Sequence, residues 1–91
     1  MISIEDCIGM CDLTREEIDA IAEHEHLTEI AATSLADYLM HLPDGPQRVR
    51  AMIQDDIREA LAHGNRAHAK ELFAALRHFL HEHPEARPAR A

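Results

Sequence analysis

Between residues 14 and 42 the chain carries two apolar stripes that cannot share one face of a straight helix. Ile18, Ile21 and Ala22 form the first stripe, and Leu27, Ile30, Ala31, Leu35, Tyr38, Leu39 and Leu42 form the second. At about 100° of rotation per residue, the second stripe points nearly opposite to the first. The phase changes across residues 23–28, the run EHEHLT. A helix buries one stripe against one core. The chain must therefore bend at this run, or lay two halves of one long helix against different neighbours. A bend is the favoured reading, although neither Gly nor Pro enforces it. It places Glu23, His24, Glu25 and His26 on the polar outside of a corner, where all four should be largely exposed.

Start and stop signals divide the rest. Ser3 with Asp6 opens a short helix over about residues 4–11, with Ile4, Cys7, Ile8 and Cys11 on one face. Thr14 and Glu17 have capping-box spacing, with Leu13 and Ile18 placed as a hydrophobic staple. HLPDGPQ is a loop, and Asp44 with Gln47 repeats the capping-box spacing. Val49, Met52, Ile53, Ile57, Ala60 and Leu61 form the cleanest amphipathic stripe. Gly64 ends that helix and Asn65 caps the next, whose stripe is Ala69, Leu72, Phe73, Leu76, Phe79 and Leu80. Pro84 stops it.

These signals predict an all-α bundle of about five short helices, with a C-terminal antiparallel helix hairpin and an N-terminal half that resembles a helix-turn-helix. Residues 1–83 read as a single helical domain and residues 84–91 as a disordered tail. An aromatic content of 3%, with no Trp, is consistent with helix packing through aliphatic side chains.

Charge narrows the partners. The formal net charge is −8 with His neutral, and protonating all eight histidines would bring it to zero. Such a chain does not select nucleic acid or anionic membrane surfaces, which favour Lys and Arg. The helix that would read a DNA groove, TEIAATSLADY, contains neither. No run approaches the roughly 18 apolar residues that span a bilayer. The first ten residues carry acids where a secretion signal is basic and then apolar. A cytoplasmic protein with two reduced thiols is expected.

Candidate chemistry is sparse. Glu23 and His26 have the Glu-x-x-His spacing of carboxylate-bridged metal bundles. An iron or zinc site there would need further carboxylates, from Glu5, Glu59 or Glu71, or from a second subunit. Cys7 and Cys11 lie one turn apart, but on the apolar face, where free Cys packs as a small hydrophobe. His78 and His81 could chelate a metal, yet their place near a helix C-terminus is explained by the macrodipole. The sequence has no nucleophile elbow and no phosphate loop. The expectation is an acidic helical protein without catalytic activity, acting as an oligomerising or protein–protein interaction module. The alternative is metal binding through Glu23 and His26.

Overall fold

The structure, a computed structural model, describes residues 13–87. Among the described residues it is all-helical, with helices α1 (Arg15–Glu25), α2 (Glu29–Met40), α3 (Gly45–Ala62) and α4 (Arg66–Glu82), followed by a short 3-10 turn, Pro84–Ala86. The expected first helix at 4–11, with Cys7, Cys11 and Glu5, lies outside the described residues.

The caps explain most of the boundaries. The Thr14 hydroxyl accepts from the Glu17 amide at 3.2 Å, and the Thr14 amide donates to Glu17 Oε1 at 3.0 Å. That reciprocal pair fixes the start of α1. Thr28 accepts from the Ala31 amide and Asn65 from the His68 amide, opening α2 and α4. The start of α3 is different. Asp44 makes no side-chain cap, and its carboxylate accepts from Arg48 Nε at 2.9 Å. Gln47 also leaves the expected capping box, donating its amide to the Glu85 carbonyl at 2.6 Å.

The bend at EHEHLT is real. His26 adopts a left-handed conformation (φ 57°), and its amide and that of Leu27 both donate to the Ala22 carbonyl. Left-handed residues close helix ends in this way, usually as Gly. Glu23, Glu25 and His26 are exposed, as expected for the outside of a corner, but His24 is half-buried.

α3 is the central element. It packs on α1, α2, α4 and the 3-10 turn, and its most extensive contact is with α4. Ile18, Ile21, Val49, Ile53 and Phe79 are fully buried at the centre of the core. Burying side chains of this size is worth about 1.5–3 kcal/mol each.

α2 meets the core through small residues. Ala32, Thr33, Ala36 and Leu39 are buried, while Leu27, Ile30 and Tyr38 stay exposed. The core-facing line is therefore rotated from the stripe read in the sequence. In the connection to α3, Gly45 sits so near the Leu39 carbonyl that a Cβ there would overlap it. α2 packs on α1 and α3, and α4 packs on α1 and α3 from elsewhere, so α2 and α4 flank a shared centre.

Among the described residues, the chain beyond Pro84 packs on α3. Ala86 is fully buried, and the carbonyls of Glu85 and Ala86 accept from Gln47 and Arg50 of α3. His83 is buried with its ring 4.8 Å from that of Phe79. Composition predicts a tail here, but these side-chain donors on α3 tie the backbone down.

Candidate functional site

The corner at EHEH is a clamp of acids and histidines. Glu23 is hydrogen-bonded to His68 of α4. His24 spans to α3, with Nε2 3.3 Å from Asp55 and Nδ1 2.7 Å from its neighbour Glu25. Two of the four residues thus fasten the last turn of α1 to both α3 and α4. Desolvation pulls the His24 imidazole down, but the hydrogen bonds to Glu25 and Asp55 and the charge of Asp56 outweigh it, and the net shift is upward.

Asp56 lies beneath this corner at 2% exposure, and its Oδ2 has no hydrogen-bond partner. Burial raises its carboxyl to about 7, and the nearby Glu23 charge adds to the effect. A buried carboxyl with an unpartnered oxygen resists ionisation.

The candidate metal ligands do not converge. Glu23 engages His68, and His26 sits exposed in the turn beyond the helix end. Glu23, His68 and Glu71 line one cleft of about 100 Å³, together with Glu16 and Asp19. Even so, among the described residues no three His, Cys, Asp or Glu side chains are placed to hold an ion. Glu59 is exposed on α3. His78 does not serve only the helix dipole: its Nδ1 donates to Glu17 Oε2 at 2.9 Å. His81 is exposed, 3.9 Å from Glu82.

The second feature is an apolar groove of about 470 Å³ between the end of α3 and the first half of α4. Ile57, Leu61, Ala69 and Phe73 line it, with Arg66 and Lys70 beside them. Leu61 is 55% and Phe73 54% exposed, although both belong to the apolar stripes of their helices. Among the described residues, Arg66, Lys70 and the nearby exposed Arg77 form no ion pair. Residues 66, 70, 73 and 77 recur at helical spacing, so the three cations and Phe73 share one side of α4. That basic stripe is legible in the sequence, but the overall charge of −8 conceals it.

No family model, curated protein or solved structure matches the chain. Its class therefore rests on the fold, a small all-α protein. No helix among the described residues is long and apolar enough to cross a membrane.

Proposed function

We propose that this chain is a non-catalytic protein-interaction module and that the groove between α3 and α4 is its docking surface. One observation carries the reading: an open apolar groove at Ile57, Leu61 and Phe73, bordered by Arg66 and Lys70, in a chain with 17 acids and 9 basic residues. Exposed apolar patches with a polar rim mark interaction sites more often than chance exposure does. Cations that no internal carboxylate neutralises favour an acidic occupant. The reading takes α3 and α4 as an antiparallel hairpin, the arrangement that their short connection favours.

The competing reading, iron or zinc held by Glu23 and His26, has less support, because Glu23 is engaged by His68 and His26 lies in the turn. The test is a photo-reactive phenylalanine analogue at position 73, irradiated in cells, with the same residue at exposed Ala51 as the control. A polypeptide adduct from position 73, lost in Lys70→Glu and absent at position 51, is expected. Equal labelling from both positions, or no polypeptide adduct, would contradict the reading.

A further inference from the structure

The large apolar side chains that remain exposed among the described residues are Leu27, Ile30, Tyr38, Leu61 and Phe73. They fall into two groups. Leu61 and Phe73 belong to the α3 and α4 groove with its unpaired Arg66 and Lys70. Leu27, Ile30 and Tyr38 belong to α2 and the turn before it. Ile30, Ser34 and Tyr38 follow one another at one-turn spacing, and all three are exposed. α2 contains no Lys or Arg, and Asp37 stands exposed next to Tyr38. Asp37 lies 3.8 Å from His41 Nδ1. One patch is thus apolar and basic, and the other is apolar and acidic.

We infer that the occupant of the groove is a second copy of this chain, presenting the α2 face at Leu27, Ile30 and Tyr38. This deepens the docking reading above and rests on it. The two patches differ in shape and in charge, so the contact is heterologous: the α2 face of one copy meets the groove of the next. Tyr38 and Ile30 fill the apolar floor, while Asp37 faces the cations at Arg66 and Lys70. α2 and α4 both pack on α1 and α3 but not extensively on each other, so the two patches lie on different elements of the fold. A contact of this kind does not stop at two copies. It propagates into a ring or an open chain, depending on whether the rotation closes. Opposite charges across the contact hold its register and weaken with added salt.

The decisive experiment uses two full-length variants in sedimentation velocity. Phe73→Asp disables the groove, and Ile30→Asp with Tyr38→Asp disables the α2 face. All three positions are exposed, so the fold should survive, and circular dichroism checks that it does. Wild type is expected to form species larger than a dimer at up to about 1 mM protein, and each variant alone to remain monomeric. Mixed, the two variants are expected to form a complex of about twice the monomer mass and no larger, because one intact groove and one intact α2 face remain. Lys70→Glu should lose assembly, and adding Asp37→Lys should restore it. A monomeric wild type, or a mixture that stays monomeric, would overturn the proposal. If wild type is monomeric while position 73 crosslinks to a different polypeptide, self-assembly falls and the docking surface stands. If position 73 labels no polypeptide either, both fall.

Discussion

Glu17 of α1 is 1% exposed, and its Oε2 accepts from Nδ1 of His78, near the end of α4, at 2.9 Å. The same carboxylate closes the capping box with Thr14 through Oε1. One side chain therefore starts a helix and joins it to another 61 residues away.

The hydrogen bond to Glu17 and the Glu17 charge hold the His78 imidazole above its ordinary pKa. The sign follows by linkage: the folded state keeps a proton that the unfolded chain releases near pH ~6.5. This contribution is complete below that value and is lost as the pH rises through the folded value. His78→Ala should therefore lower the melting temperature more at pH 6 than at pH 9. Thermal melts at the two pH values check this, and an equal loss at both would contradict it.

Asp56 gives the same slope from an acid. Its carboxyl stays protonated to about 7 in the folded state, against 3.8 for the ordinary group. Stability should fall as the pH rises between those values and then level off. Asp56→Asn removes the ionisation, so it should stabilise the fold by on the order of 2–4 kcal/mol at pH 8 and by little at pH 4. Urea unfolding of both proteins across that range measures the difference. Partial desolvation and the Glu29 carboxylate raise Asp19 to about 6, while Arg15 and Asp19 lower Glu29, so that pair contributes opposing slopes.

His26 makes the turn by standing at φ 57°, a conformation that strains any residue with a Cβ. His26→Gly should leave the fold intact and match or exceed wild-type stability, by up to about 1 kcal/mol. Metal content should not change, since His26 has turn geometry and Glu23 is turned toward His68. Elemental analysis of tag-free protein decides between the roles. Stoichiometric iron or zinc that disappears with His26 would assign it to a metal site.

The bend, the caps at Thr14 and Asn65, and the stripe of α3 were legible because each depends on residues within one or two turns. A corner does lie at EHEHLT without any Gly or Pro, but the stripe whose reversed phase argued for it is not the buried one, because Leu27, Ile30 and Tyr38 stay exposed. What the sequence concealed depends on distant residues. α2 turns Ala32, Thr33 and Ala36 to the core, so Ile30 and Tyr38 of its apparent apolar stripe face outward. Position in a stripe also did not guarantee burial for Leu61 and Phe73, because α1 covers a different side of the α3 and α4 pair. The partners of Glu23 and His24 lie on α4 and α3, beyond the reach of local spacing. Pro84 ended α4 as expected, yet Gln47 and Arg50 held the following residues in place.

Lys70 offers the most direct test of the docking surface. It is the chain's one lysine and lies at the edge of the groove. Acylation in intact cells, compared between wild type and Phe73→Ser, reports whether the groove is covered. Lys70 should react several-fold more slowly in wild type, because an occupant shields it and Phe73→Ser weakens that occupant's hold. Equal rates in the two proteins would show an uncovered groove and contradict the account.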